Sequence, residues 1–149
     1  MLLEGDLVFD DAFLERFVTS PKPNVAVVDR YQHFMDGTVI LAEGGVSKSM
    51  VLKNDQGADF DYSRALKTVN IYKLSGMDLS HQIIPELSRY VVEGKTDQYY
   101  EAIFADLISR GVFELSVLHT EAVKWAEIDT IDDLELAEKF FPAMAVPGG

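Results

Sequence analysis

The sequence contains no cysteine, few basic residues and no long apolar run, and each absence narrows the classes of protein that fit. Without cysteine there can be neither disulfide bonds nor a cysteine-ligated zinc site. Only 13 Lys and Arg residues accompany 25 Asp and Glu residues, and the net charge of −12 argues against nucleic acid or an anionic membrane as a partner. We find no apolar segment long enough to span a membrane and no signal peptide, so we expect a cytoplasmic protein.

Histidine is also scarce. His33, His81 and His119 lie far apart, without the spacing of a metal site, and no Ser/His/Asp arrangement can be assembled.

A chain of 149 residues is long enough for one domain, which buries about 68–70% of the unfolded surface. Because no internal repeat or linker divides the sequence, we expect a single domain over residues 1–149.

One segment near the C-terminus predicts a short strand that runs into a helix. Side chains alternate along a strand, so Trp125, Glu127 and Asp129 share one face. Thr130 and Asp133 have the spacing of a helix N-cap and a short capping box. Ligands of open α/β sheets bind at the carboxyl ends of strands, which makes Asp129 a candidate site residue. From the residues alone, Trp125 is interpreted as a packing residue and Glu127 as a solvated one.

The first residues predict another strand that ends in a carboxylate. Residues 1–5 read as a buried strand without a polar lead-in, and Asp6 ends it. A core strand at the very start leads us to expect that polypeptide is missing upstream. Asp10 or Asp11 then caps a helix. The apolar side of this helix is predicted to contain Phe13, Leu14, Phe17 and Val18.

The remaining elements alternate between strands and helices. The continuous apolar run 25–28 is typical of a strand buried on both faces. The other predicted elements are a hairpin (38–41 and 46–52), a strand (67–73), helices (75–92 and 97–109), a strand (113–118) and a last helix closed by Pro142. The tail after Pro142 is expected to be loose.

The predicted strand over 67–73 contains an unusual residue. Val69 and Ile71 share one face of this strand, and Asn70 lies on the other. Asn is disfavoured inside strands, so its presence here needs a reason. A buried hydrogen bond to a neighbouring loop is the simplest reason for it. Lys67 and Lys73 are, by default, interpreted as solvated.

Three segments in order resemble a known family. They are residues 4–10, 67–73 and 125–134, and residues 36–38 and 98–101 agree with them. The sequence resembles nucleotidyltransferases of the sugar-phosphate and phosphocholine cytidylyltransferase type, especially the branch that acts on small aminoalkyl phosphates or phosphonates. The resemblance implies an α/β fold, namely part of a Rossmann-like mixed sheet with flanking helices of the nucleotide-diphospho-sugar transferase type.

The resemblance implies Mg²⁺-dependent transfer of a nucleoside monophosphate, most simply CMP from CTP, to a small phosphorylated or phosphonylated acceptor, with release of pyrophosphate. Candidate acceptors are phosphocholine, aminoethylphosphonate and a sugar 1-phosphate. Asp6 and Asp129 match the metal-binding segments, and hard carboxylate oxygens suit Mg²⁺. Lys67 is expected to approach the acceptor phosphate as a catalytic residue, and Asn70 to bind the acceptor. The candidates for contact with the acceptor head group are Trp125, Glu127, Tyr99 and Tyr100.

The sequence departs from the family at its start. Members begin with a glycine-rich nucleotide loop that carries an Arg and a Pro-Lys pair, and nothing here matches it. We therefore expect a C-terminal portion of such an enzyme that does not catalyse transfer alone. Loss of the neighbouring strands would bare the edges of the strands at 1–5 and 25–28, so we expect self-association, most simply as a homodimer.

A non-enzymatic alternative stays open. In it, the chain is a binding or interaction domain that has kept the scaffold and lost catalysis. Stabilisation against heat by Mg²⁺ with a nucleotide or a phosphorylated acceptor separates the two hypotheses, because a ligand that binds only the folded state raises stability.

Overall fold

The computed structural model describes residues 1–10, 12–121 and 123–141. The strands are β1 (Leu2–Leu3), β2 (Leu7–Phe9), β3 (Val25–Arg30), β4 (Val39–Glu43), β5 (Val46–Val51), β6 (Ala65–Lys73), β7 (Ser116–His119) and β8 (Trp125–Glu127). The helices are α1 (Ala12–Val18), α2 (Gly76–Asp78), α3 (Ile84–Val92), α4 (Glu101–Ser109) and α5 (Ile131–Phe140), with a π-helical segment (Leu79–Ile83) between α2 and α3. Among the described residues, no helix is long and apolar enough to cross a membrane.

Six strands form a mixed sheet in the order β1-β6-β3-β7-β5-β4, and β4 also pairs with β6. Within the described part of the chain, β3 and β7 are the one parallel pair of this sheet, and its other pairs are antiparallel. Strands β2 and β8 form a separate antiparallel pair beside this sheet. The predicted α/β class with a mixed sheet is therefore confirmed.

Apolar side chains from both faces of β3 explain its continuous apolar sequence. Val25 and Val27 pack with Phe13 and Phe17 of α1, whereas the alternate residues of β3 face the second core. That core also contains Phe104 of α4. Alternation along one strand thus fills two cores, as expected for a strand covered on both sides.

Several predicted boundaries and faces are corrected. Strand β3 pairs with β6 on one edge and β7 on the other, so the expectation of a bare edge at residues 25–28 is wrong. Helix α4 begins at Glu101, and β7 at Ser116, each three or four residues later than predicted. Val18 is 57% exposed rather than part of the core, because α1 turns this end of its face to solvent.

The structure of residues 125–134 agrees with the prediction at the start of the helix and differs from it at the end of the strand. Thr130 is the N-cap of α5 and completes a capping box with Asp133, which confirms that prediction. Strand β8 ends at Glu127, so Asp129 lies beyond the strand. Pro142, the tail after it and Asp11 fall outside the described residues.

Candidate functional site

Three carboxylates meet where the turn between β1 and β2 lies beside β8. Glu4 follows β1 and Asp6 lies in the turn before β2. Glu127 is the last residue of β8 and pairs in register with Leu7. One oxygen from each of Glu4, Asp6 and Glu127 lies within 4.8 Å of the other two. The antiparallel β2–β8 pair therefore joins the two ends of the chain into one acidic cluster.

The surroundings of this acidic cluster disfavour three free negative charges. Burial raises the pKa of the Glu4 carboxyl, and the charges of Glu101 and Asp6 raise it further, against a lowering hydrogen bond from Tyr100. Burial also raises the pKa of the Glu127 carboxyl, as do the charges of Asp129 and Asp6. Oδ1 of Asp6 is buried and has no hydrogen-bond partner among the described residues. A cation would satisfy this oxygen and relieve the repulsion.

Lys67 supplies a buried positive charge beside the acidic cluster. Its side chain is 3% exposed, and Nζ donates a hydrogen bond to the Thr68 carbonyl (2.8 Å) and lies 3.4 Å from Oε2 of Glu127. Gly37 has a left-handed backbone (φ 103°), and a Cβ added there would lie 3.1 Å from Nζ. The interpretation of Lys67 as solvated is wrong, because β6 and the loop containing Gly37 enclose its side chain.

Asn70 lies in a bulge of β6. Its φ of 58° is left-handed, which is uncommon for a residue other than Gly. Ala26 of β3 pairs with Tyr72 of β6, and Val28 pairs with Thr68, so β6 contains two extra residues between these pairs. Bulges redirect side chains near functional sites, and here Nδ2 of Asn70 donates to Oε1 of Glu127 at 2.9 Å. The reason for Asn70 is a buried hydrogen bond, as the sequence predicts, but its partner is on a strand rather than a loop.

The predicted aromatic candidates have different surroundings. Tyr100 is partly buried, and its hydroxyl donates to Oε1 of Glu4 at 2.8 Å. Tyr99 is 70% exposed. Trp125 packs against the core beside Phe13, and its indole N–H donates to Asp29 at 2.7 Å, in agreement with its interpretation as a packing residue.

Asp129 is exposed and lies outside the group of three carboxylates, although its charge acts on Glu127. Its predicted role as a metal ligand therefore stays a prediction, as does that of Asp6. Sequence reasoning did not single out Glu4, although Glu4 lies two residues before Asp6. It also did not single out Glu101, which the sequence places off the apolar side of its helix but which the structure buries.

The fold is that of the nucleotidyltransferases. A CTP:phosphocholine cytidylyltransferase from Streptococcus pneumoniae superposes with a TM-score of 0.70 at 14% identity, over 93% of this chain and 56% of that one. The inositol-1-phosphate CTP transferase from T. maritima superposes with a TM-score of 0.58 at 15% identity, over 95% of this chain and 55% of that one. These similarities confirm the predicted fold class.

The sequence itself is 32% identical over 143 residues to the CMP-5'-(3-aminopropyl)phosphonate synthase of Streptomyces rubellomurinus (strain ATCC 31215). The match covers 95% of this chain, which spans 23% of the length of that relative. No family model matches the sequence. The predicted resemblance to the nucleotidyltransferases, including the branch that handles aminoalkyl phosphonates, is confirmed by this relative.

Proposed function

We propose that this chain is part of a Mg²⁺-dependent nucleotidyltransferase that transfers CMP from CTP to a small aminoalkyl phosphonate or phosphate. An oxygen of the acceptor forms a bond to the α-phosphorus of CTP. The bond from that phosphorus to the bridging oxygen breaks, and pyrophosphate leaves with the electron pair. The acceptor oxygen is the nucleophile, so the reaction needs none from the protein.

The acidic cluster of Glu4, Asp6 and Glu127 is the observation that carries this proposal. Mg²⁺ prefers oxygen ligands at about 2.0–2.1 Å in octahedral geometry, so two ligand oxygens lie about 3–4 Å apart. The oxygens of the acidic cluster, within 4.8 Å of one another, need only a small adjustment to share one ion. The unpaired, buried Oδ1 of Asp6 gives a second reason for a cation at this place.

Asp6 and Glu127 would hold the ion, with Asp129 close enough to contribute through its charge or a bound water. Such an ion supplies charge neutralisation between two negatively charged phosphates. Nζ of Lys67 contacts Oε2 of the Glu127 carboxylate, and Nδ2 of Asn70 donates a hydrogen bond to its Oε1. These two contacts fix Glu127 before any substrate arrives, which lowers the cost of organising the site.

Lys67 also offers a positive charge for the acceptor phosphate. Asp36 pairs with a second cation, because the hydrogen bond from Lys53 is the main cause of its lowered pKa, with a smaller contribution from the charge of Lys67. In a molecule with a net charge of −12, such placed cations are what an anionic substrate needs. Asn70 and Tyr99 remain proposed contacts of the acceptor.

An aminoalkyl acceptor agrees with the Streptomyces relative and with the negative charge around Tyr100. Tyr100 donates a hydrogen bond to Glu4, so an ammonium group at this place would meet a carboxylate beside an aromatic ring. Trp125 is engaged with Asp29 and the core, so we assign it a supporting position rather than a contact.

Metal-dependent stability tests this proposal on the full chain. We expect Mg²⁺ or Mn²⁺ to raise the melting temperature, since an ion at 100 times its Kd stabilises the folded state by about 2.7 kcal/mol. Asp6→Asn and Glu127→Gln should abolish the rise. Asp59→Asn, which changes an exposed acid of another loop, serves as the matched control and should respond like the wild type.

The proposed site is excluded if the Asp6 and Glu127 variants are stabilised by metal as strongly as the wild type. Adding 3-aminopropylphosphonate with Mg²⁺ then tests the acceptor. A further rise in melting temperature with this phosphonate, and none with glycerol phosphate, is the expected result.

A further inference from the structure

A buried carboxylate stands behind the acidic cluster. Glu101, the first residue of α4, is buried and accepts hydrogen bonds from the hydroxyls of Thr38 (2.7 Å) and Tyr72 (2.7 Å), and the hydroxyl oxygen of Thr68 lies 3.4 Å from its Oε1. Among the ion pairs of the described residues, no Lys, Arg or His pairs with it. A carboxylate is costly to bury without a cation, and the hydroxyls of Thr38 and Tyr72 compensate for part of that cost, which leaves the Thr68 hydroxyl available to another acceptor.

The hydroxyl of Thr68 connects this carboxylate to Asn70. Thr68 is completely buried on β6, and its Oγ1 lies 3.0 Å from Oδ1 of Asn70. An Asn side chain has an acceptor oxygen on one side and an NH₂ donor on the other. When Oδ1 accepts from Thr68, Nδ2 is directed to Oε1 of Glu127, at 2.9 Å.

We propose that Thr68 is a positioning residue, which fixes the amide of Asn70 and through it the carboxylate of Glu127. The inference rests on the proposed function, because it gives Glu127 the role of a metal ligand. The carbonyl of Thr38 at 3.1 Å and Oε1 of Glu101 at 3.4 Å compete for the single proton of this hydroxyl. Asn70 is the nearest of the three acceptors, so the relay runs from Thr68 through Asn70 of β6 to Glu127 of β8.

The relay is tested by Mn²⁺ binding to the full chain, measured by calorimetry. Thr68→Val keeps the shape of the side chain and removes the hydroxyl, so the Asn70 amide loses the group that sets its orientation. Loss of a group that hydrogen-bonds a metal ligand directly weakens metal affinity by about 10–100-fold, and because Thr68 acts one hydrogen bond further away, through Asn70, we expect a Kd increase at the lower end, about 10-fold. Thr68→Ser retains the hydroxyl and should bind Mn²⁺ as the wild type does.

Thr120→Val is the matched control. Thr120 is a buried threonine whose hydroxyl has no partner among the described residues, so its loss should leave Mn²⁺ affinity unchanged. A purely structural role of Thr68 would lower the melting temperature of Thr68→Val and leave its Mn²⁺ affinity intact.

The NMR signals of the Asn70 side-chain NH₂ give a readout that does not need metal. We expect these two protons to be protected from exchange in the wild type and in Thr68→Ser, and to shift and exchange faster in Thr68→Val. Wild-type Mn²⁺ affinity in Thr68→Val, or equal losses in the Ser and Val variants, overturns the relay. If the valine variant does not fold, free exchange of the wild-type Asn70 NH₂ overturns it instead. A wild type that binds no Mn²⁺ counts against the proposed function, and the Asn70 signals still decide the relay.

Discussion

At the scale of single residues, the demands of stability and of function conflict in the acidic cluster. Glu4, Asp6 and Glu127 bring oxygens within 4.8 Å of one another, and Oδ1 of Asp6 has no partner among the described residues. Like charges at this distance repel in the absence of a cation. Sites selected for function often keep such destabilising groups. Asp6 is therefore the residue at which the two demands can be separated by one substitution.

We expect Asp6→Asn to stabilise the metal-free protein by about 0.5–2 kcal/mol, the usual gain from relieving a functional-site strain, and to remove the stabilisation by Mg²⁺. Urea unfolding with and without Mg²⁺ measures both effects. Asp6→Glu keeps the charge and should give no gain without metal. A destabilised Asp6→Asn variant in the absence of metal would show that repulsion is not the dominant effect at this position.

At the scale of elements, an ion-pair network joins α3 to α4. Glu86 of α3 is buried and pairs with Arg89 of its own helix and with Arg110, which follows α4. Asp106 of α4 pairs with both arginines. The hydrogen bonds from Arg89, with the hydrogen bond and charge of Arg110, hold the pKa of the Glu86 carboxyl well below its ordinary value of 4.5. Because α4 also carries Glu101, this network fixes the helix that stands behind the site.

This network should make the protein sensitive to acid. A carboxyl whose pKa is lowered on folding contributes stability that is present above pH 4.5 and is lost as the pH falls through the folded-state value. Glu86→Gln should cost roughly 1–2 kcal/mol at pH 7, since its arginine partners are partly solvated, and should reduce the loss of stability below pH 4.5. Urea unfolding from pH 7 down to about pH 2, the folded-state pKa of Glu86, measures it.

Glu135→Gln is the control for this experiment, because Glu135 is an exposed acid of α5 without an ion pair among the described residues. It should leave the pH dependence of stability as in the wild type. Equal acid profiles for Glu86→Gln and the wild type would contradict the role given to the α3–α4 network.

At the scale of the whole molecule, charge opposes association. The net charge of −12 repels a second copy, whereas β1 pairs only with β6 and leaves its other edge without a partner among the described strands. We expect a homodimer that forms through the β1 edge and strengthens with salt, because salt screens the repulsion. Sedimentation at low and high ionic strength measures this.

A monomer at every concentration and salt level would contradict the dimer.

Neither form is expected to release pyrophosphate from CTP by itself, because the chain has no match to the family's glycine-rich nucleotide loop. A monomer that turns over CTP and an aminoalkyl phosphonate would overturn this expectation.

The sequence was most informative where local chemistry decides the structure. The capping box of Thr130 and Asp133 was predicted because it depends on residues three apart. The alternation of apolar residues in β3 follows from burial on both faces, and its position between β6 and β7 could not be read from residues 25–28 alone. The wrong edge prediction arose because pairing partners lie far away in the chain.

The sequence by itself determined the α/β class, the resemblance to nucleotidyltransferases and the presence of strand-associated carboxylates such as Asp6. Only the tertiary structure decided which carboxylates meet, since the pairing of β2 with β8 brings Glu127 to Glu4 and Asp6 across more than 120 residues of chain. It also decided that Lys67 is buried and that Asn70 lies in a bulge, because both depend on enclosure by other elements. Periodicity reports local faces, whereas the free energy of a buried charge depends on long-range neighbours.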